Sequence, residues 1–265
     1  MTFLVIGANG KTGSRVIKRL DDKGLDVRGV SRSSEIPFDW NDQATWDAAL
    51  DGVHAAYVTY YPDLAFPGAA DAIRALTHKA KAAGVRRLVL LSGRGEDEAA
   101  VSERTVLESG LEATVVSCSF FNQNFSEGAF ADMVAGGVLA LPAGERSEPF
   151  VDAEDIADVV VAALTEDGHA GRIYELTGPR LLTFHDVAAE ISKASGKPVA
   201  YHPMQAGEYV EMLMQYGLPR EEAEPLTDLF VHVLDGRNER LTDGVKRALG
   251  REPRDFSEYA ATAAW

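Results

Sequence analysis

One cysteine in 265 residues leaves no partner for an internal disulfide and excludes any multi-cysteine metal site. That residue, Cys118, closes the apolar run at residues 113–118 and reads as a buried small hydrophobe. Basic charge is also scarce: 26 Lys and Arg stand against 41 Asp and Glu, a net charge of −15. Such a surface repels nucleic acid and anionic membranes, so the expected partner is a small molecule, cationic or aromatic. No apolar run approaches the length of a membrane span, and the first one, at residues 3–6, is too short for a signal peptide. The cytoplasm is therefore the expected compartment. The six histidines show no ligand spacing, so no metal is expected.

What is present is a regular alternation. Short apolar runs at residues 2–6, 27–30, 53–59, 87–91, 113–118 and 172–177 read as buried strands. Segments with helical spacing separate them, as in Val16, Ile17 and Leu20 before the Gly24 stop. This pattern specifies an α/β fold, a doubly wound parallel Rossmann sheet. Residues 119–149 are less regular, and from Gly178 the pattern is mostly helical with one extended piece at 198–203. The expected organisation is a dinucleotide-binding domain from 1–118 plus 150–177. A smaller, mostly helical substrate-side lobe from 119–149 plus 178–265 is expected over the carboxyl ends of the strands.

The first strand runs into Gly7-Ala8-Asn9-Gly10-Lys11-Thr12-Gly13, a three-glycine turn opening a helix. That context calls for a backbone close enough to a pyrophosphate for N–H groups and a helix N-terminus to hold it. A Walker A loop needs four residues between its first glycine and the G-K-[ST] ending, and here only two separate Gly7 from Gly10-Lys11-Thr12. The second strand ends in Ser31-Arg32-Ser33, where an NAD site usually offers a carboxylate. A guanidinium between two hydroxyls suits a 2′-phosphate, so NADP(H) is the expected cofactor, with Lys11 in reach of the same phosphate. Asp39 and Trp40 are candidates to bracket the adenine. Thr59, Tyr60 and Ser92, at strand ends, complete the candidate cofactor residues.

The usual proton donor for dinucleotide-dependent carbonyl reduction is a tyrosine with a lysine four residues later. None of the eight tyrosines has that partner, and residues 92–118 contain neither residue type. A developing alkoxide needs a positioned acid, so ketone reduction is disfavoured. An iminium cation needs hydride alone, quinones and conjugated dyes accept protons from water, and a dinucleotide sensor needs no acid.

With these residues the chain resembles the NmrA-like branch of atypical short-chain dehydrogenases nearly end to end. The likeness rests on the glycine loop, on Ala83-Gly84-Val85-Arg86-Arg87-Leu88-Val89 with Leu90-Leu91-Ser92, and on Leu107-Glu108-Ser109-Gly110-Leu111. Phe120-Phe121-Asn122-Gln123-Asn124-Phe125 and the run from Pro149 to Ala157 are similar too, although Ser119 stands close to where an Arg-Pro pair is common. Ser31-Arg32-Ser33-Ser34, Phe38-Asp39-Trp40 and Leu176-Thr177-Gly178-Pro179 look most like the ergot-alkaloid iminium reductases, of the agroclavine and festuclavine dehydrogenase type. That likeness implies an NADPH-dependent oxidoreductase acting on an iminium or imine. Quinone and dye reductases share the stretch from Gly168 to Leu176 in similar form and are the competing relatives. A non-catalytic NADP(H)-sensing regulator is the other alternative.

Ligands of doubly wound sheets lie beyond the carboxyl ends of the strands. Tyr60, Tyr61, Arg94, Phe121, Asn122 and Phe125 leave strands there and are the candidate substrate residues. The aromatics would form a wall, and Arg94 would either hold a substrate acid or pair with Glu96 or Asp97 at the surface. An aromatic-lined cleft would favour the enzyme, and a lobe filled by its own side chains the sensor.

Overall fold

A computed structural model describes the backbone of residues 1–265 and the side-chain surroundings of all but residue 129. It divides into two compact units. The first comprises Met1–Cys118, Ala153–Leu176 and Asp243–Glu252, and the second Ser119–Asp152, Thr177–Thr242 and Pro253–Trp265.

The chain begins β1 (Thr2–Ile6), α1 (Lys11–Asp22), β2 (Asp26–Val30), α2 (Trp46–Leu50) and β3 (Val53–Val58). It continues with α3 (Ala69–Ala82), β4 (Arg87–Gly93), α4 (Ala99–Leu107) and β5 (Glu112–Cys118). It then passes into the second unit through α5 (Ala129–Ala135), β6 (Val138–Leu141) and β7 (Ser147–Glu148), and returns through α6 (Ala153–Thr165) and β8 (Arg172–Leu176). The second unit resumes with β9 (Leu182–Thr183), α7 (Phe184–Ser195), β10 (Ala200–Pro203), α8 (Ala206–Gln215) and α9 (Arg220–Val233). Helix α10 (Gly244–Leu249) belongs to the first unit and α11 (Phe256–Thr262) to the second.

In the first unit six strands form one parallel sheet in the order β2-β1-β3-β4-β5-β8. The fold is an α/β Rossmann-like one. Its central strands β1, β3, β4 and β5 are mostly apolar and buried, as expected where helices cover both faces of such a sheet. Leu4, Val5, Leu90 and Val115 are fully buried, each contributing roughly 1.5–3 kcal/mol over an exposed side chain. After β2 the chain crosses back to place β3 on the other side of β1, so the strand order reverses between β1 and β3. In such a sheet that reversal opens the crevice where a ligand sits.

Helix α1 turns Val16 and Leu20, four residues apart, into the core. Its other side is fixed by charge. Arg15 donates to Glu154 at 2.7 Å and Arg19 to Asp158 at 2.6 Å, both on α6. Arg251 reaches the same helix at Asp155, 2.7 Å away and fully buried. The helix that carries the glycine loop is thus held on α6 by two arginines and two acids, and Arg251 fixes α6 in turn.

The second unit has an aromatic centre. Phe125, Phe150, Phe184 and Phe256 are nearly or wholly buried, with ring centroids 5.3–6.2 Å apart, mostly edge to face. Two small sheets join this core, a parallel pair of β6 with β10 and an antiparallel pair of β7 with β9. Arg180 holds Asp255, the N-cap of α11, at 2.6 Å, and the hydrogen bond from that guanidinium keeps the Asp255 carboxyl well below the usual carboxylate range.

Two expectations change here. The strands β6, β7 and β9 are absent from the sequence reading, because runs of two to four residues carry too little periodicity and owe their form to partners elsewhere in the chain. Residues 243–252, expected in the lobe, pack in the first unit against β8 and α6. Close approach is the reason: a Cβ on Gly244 would stand 2.0 Å from the Glu175 carbonyl oxygen. Replacing Gly244 by Ala therefore forces α10 off β8. The expected loss is about 1–3 kcal/mol, read as a lower denaturant midpoint with an unchanged slope.

Candidate dinucleotide and acceptor site

The site starts where β1 ends. Gly7 adopts φ +81°, a conformation that side chains rarely take, and a Cβ there would meet Thr59 Oγ1 at 2.3 Å. A Cβ on Gly13 would stand 2.1 Å from the Gly7 carbonyl oxygen. The loop therefore closes only with hydrogen at both positions. Gly10 is the N-cap of α1 and brings no side chain to satisfy the first turn, and Lys11 opens the helix. A helix start that lacks a side-chain cap presents backbone N–H groups to an outside acceptor. These features fit the pyrophosphate of a dinucleotide.

Strand β3 supports the turn from beneath. Thr59 donates from Oγ1 to the Ile6 carbonyl at 3.0 Å, bridging the point where the strand order reverses. The Tyr57 hydroxyl donates to Thr12 Oγ1 at 2.9 Å inside the core, so the Thr12 side chain anchors the loop from within. Burial pushes the Tyr57 hydroxyl far above its usual pKa, so it stays a neutral donor.

Beyond β2 the backbone continues as a polar turn. Gly7 and Ala8 both donate to the Val30 carbonyl at 3.1 Å. Asn9 Nδ2 donates to Ser31 Oγ at 3.2 Å, and Ser31 Oγ lies 3.3 Å from Ser33 Oγ. Ser34 closes the turn by donating to the Ser31 and Ile36 carbonyls. Asn9, Ser31 and Ser33 thus form one hydroxyl and amide cluster beside the glycine loop, with Arg32 exposed at its outer edge. The Arg32 guanidinium lies over the Tyr61 ring, 5.9 Å from its centroid.

Trp40 donates from Nε1 to the Thr59 carbonyl at 3.2 Å and packs on Phe38, Trp46 and Tyr60, with centroids 4.8–5.6 Å away. Asp39 accepts from the Asn41 backbone and holds Trp46 through its own carbonyl. Tyr60 is half-buried against Trp40, while Tyr61 is 72% exposed. Ser92, at the end of β4, is buried, with its hydroxyl facing Glu103.

The acceptor side departs from expectation at two residues. Arg94 is not at the surface: its side chain is 2% exposed and donates from Nε to Glu175 Oε2 at 3.0 Å. Strand β8 brings that carboxylate across from β4, a pairing invisible in the local sequence. Phe125 lines no cleft wall, because it is fully buried inside the aromatic core of the second unit. Phe121 forms an isolated bridge with Val151, and Asn122 is fully buried with both amide atoms lacking a hydrogen-bond partner.

Sequence reasoning missed Glu96. It folds back from the loop after β4 so closely that a Cβ on Gly93 would meet its Oε1 at 1.7 Å. Burial, then the charge of Asp63 and a hydrogen bond with it, push the Glu96 carboxyl up to about 9. A lone glutamate in an acidic stretch gives no signal of this. Only the fold sets Asp63, from the loop after β3, beside it. Among the described residues no group of acids, histidines and cysteine forms a metal site, and no helix is long and apolar enough to cross a membrane.

The geometry has counterparts in known proteins. The family model described as NmrA-like family matches residues 1–260. An NAD(P)H azoreductase of Xenophilus azovorans is 31% identical, over 97% of this chain and 96% of that protein. Agroclavine dehydrogenase of Claviceps fusiformis is 29% identical, over 98% of this chain and 96% of that one. Among solved structures, the NADPH-dependent quinone oxidoreductase QOR2 of Escherichia coli, complexed with NADPH, superposes with a TM-score of 0.80. It is 24% identical, with 98% of each chain covered.

Cys118 is buried, and burial followed by the charge of Glu96 raises its thiol well above the ordinary value. A thiol reagent at mildly alkaline pH is expected to leave the native protein unmodified and to titrate one thiol per chain in denaturant. Rapid labelling of the folded protein would contradict this packing.

Proposed function

The chain belongs to the NmrA-like family, and from that premise we propose that it is an NADPH-dependent oxidoreductase that delivers hydride to a small conjugated acceptor. Iminium or imine compounds, quinones and azo or related dyes are the acceptor classes. The observation that carries the reading is the loop of Gly7, Gly10 and Gly13 beside a turn that offers Ser31, Arg32 and Ser33 where a carboxylate would select NAD.

When bound, NADPH supplies two electrons as hydride from its dihydronicotinamide ring. The residues of this chain hold and orient it. Backbone N–H groups at the start of α1 receive the pyrophosphate, and Gly7 and Gly13 let it approach. Arg32 pairs with the 2′-phosphate, and Ser31 and Ser33 donate to it, since charge-assisted hydrogen bonds there are the strong ones. Tyr60 and Tyr61 leave β3 at the carboxyl end of the sheet and offer flat apolar surface to an aromatic acceptor. Two relatives support this reading by name, an NAD(P)H azoreductase and an NADPH-dependent quinone oxidoreductase, and a third, agroclavine dehydrogenase, is named as a redox enzyme.

One observation favours a second reading. The interior of the second unit is filled by its own phenylalanines, as expected of a protein that senses the dinucleotide without turning it over.

Purified protein is expected to oxidise NADPH with at least one acceptor from the three classes, followed by loss of dihydronicotinamide absorbance. Tight NADPH binding with no turnover on any of them would favour the sensor instead. Replacing Arg32 by Ala is expected to weaken NADPH binding by about 1–3 kcal/mol and to leave NADH binding unchanged. Equal losses for both dinucleotides in a calorimetric titration would remove the 2′-phosphate assignment.

A further inference from the structure

Many arginines of this acidic chain are tied to carboxylates, among them Arg15, Arg19, Arg86, Arg94 and Arg180. Arg32 departs from that pattern. It is exposed, and among the described residues its guanidinium has neither an acid nor a hydrogen-bond acceptor. What it meets instead is the ring of Tyr61, with Cζ 5.9 Å from the centroid. The Tyr61 ring is 72% exposed, yet the residues before it are fixed. Thr59 bonds the Ile6 carbonyl and accepts from Trp40, and Tyr60 packs on Trp40. The two partners come from opposite sides of the glycine loop. In the order β2-β1-β3, Arg32 follows β2 by two residues and Tyr61 follows β3 by three, with β1 between them. Their contact therefore reaches across the carboxyl end of β1, where the strand order reverses.

The choice of a ring as partner has a consequence for charge. A carboxylate would also hold Arg32, but it would neutralise the guanidinium and repel a phosphate dianion. The face of a tyrosine attracts a cation through its quadrupole and adds no net charge. It occupies none of the five N–H groups as a conventional acceptor, so all stay available to phosphate oxygens. The hydroxyls beside Arg32 mark the place of that anion independently. Ser31 Oγ accepts from Asn9 Nδ2 at 3.2 Å and from the Ser33 backbone N–H at 3.3 Å. With both lone pairs used, its O–H must donate, and Ser33 Oγ lies 3.3 Å away to accept. The Ser33 proton is then left to donate outward. The chain from Asn9 through Ser31 to Ser33 has one direction and ends in a donor, which suits a group that only accepts.

We propose that Tyr61 is a positioning residue for cofactor choice: its ring holds the Arg32 guanidinium, still fully charged, for the 2′-phosphate of NADPH. This deepens the dinucleotide reading and rests on it. It also divides the tyrosine pair, giving Tyr61 to the adenosine end and leaving Tyr60 alone to face an acceptor. The gain is in preorganisation, because a long arginine side chain held before the phosphate arrives loses less freedom on binding.

Calorimetric titration with 2′,5′-ADP and with 5′-ADP tests this without the nicotinamide ring, so an acceptor-side role of Tyr61 cannot register. Tyr61→Leu is expected to weaken 2′,5′-ADP binding about 2- to 5-fold, the range of an exposed cation–ring contact. Binding of 5′-ADP should stay unchanged, which also reports that the variant is folded. Tyr61→Phe keeps the ring and should bind both nucleotides as the wild type does. In an Arg32→Ala background, Tyr61→Leu should cost nothing further, since the ring acts only through the guanidinium. A wild type that binds the two nucleotides equally would end the 2′-phosphate reading itself. A selective wild type whose Leu variant is just as selective, or loses both nucleotides alike, would overturn the role of Tyr61.

Discussion

Between β1 and α1 the backbone folds back so tightly that a methyl group on Gly13 would stand 2.1 Å from the Gly7 carbonyl oxygen, and one on Gly7 would strike Thr59. The polar features of the site are arranged around that approach. Because the loop is closed, the first turn of α1 faces outward with no side-chain cap. Because Thr59 reaches under it to Ile6, β1 and β3 are locked at the point where the strand order reverses. The arginines on the far side of α1 hold the helix on α6, so the loop presents its N–H groups from a fixed base. Preorganised donors of this kind lose little entropy when an anion arrives.

The net charge of −15 is distributed unevenly enough to matter. Near the glycine loop the polar groups are an amide, two hydroxyls and the exposed Arg32. In the loops after β3 and β4 the groups are Asp63 and Glu96, with Glu103 of α4 close by, partly withdrawn from water. One zone of the same sheet edge thus suits a phosphate, and the other favours keeping a carboxyl protonated. The second follows from burial first and from like charge next.

Much of the fold is legible in the chain, and the reason is periodicity. Most strands of the main sheet are largely apolar runs of five to seven residues, and the helices between them show helical spacing, so a parallel sheet follows from pattern. The glycine loop is legible for a different reason, since three glycines between a strand and a helix record a steric limit directly in the sequence. Arg94 and Phe125 were misjudged because exposure is not a local property. Glu175 is 81 positions from Arg94, and the rings that bury Phe125 come from residues 130, 150, 184 and 256.

The sequence by itself determined the α/β class, the place of the glycine turn, the cationic residue after β2 and the absence of a tyrosine–lysine donor, because each is written in consecutive residues. Only the tertiary structure decided that residues 243–252 join the sheet unit, that Arg94 is neutralised by Glu175, and that Asp63 meets Glu96. Those outcomes depend on burial and on charges brought together from distant loops, and a carboxyl's proton affinity is set by its surroundings in space and not by its neighbours in the chain.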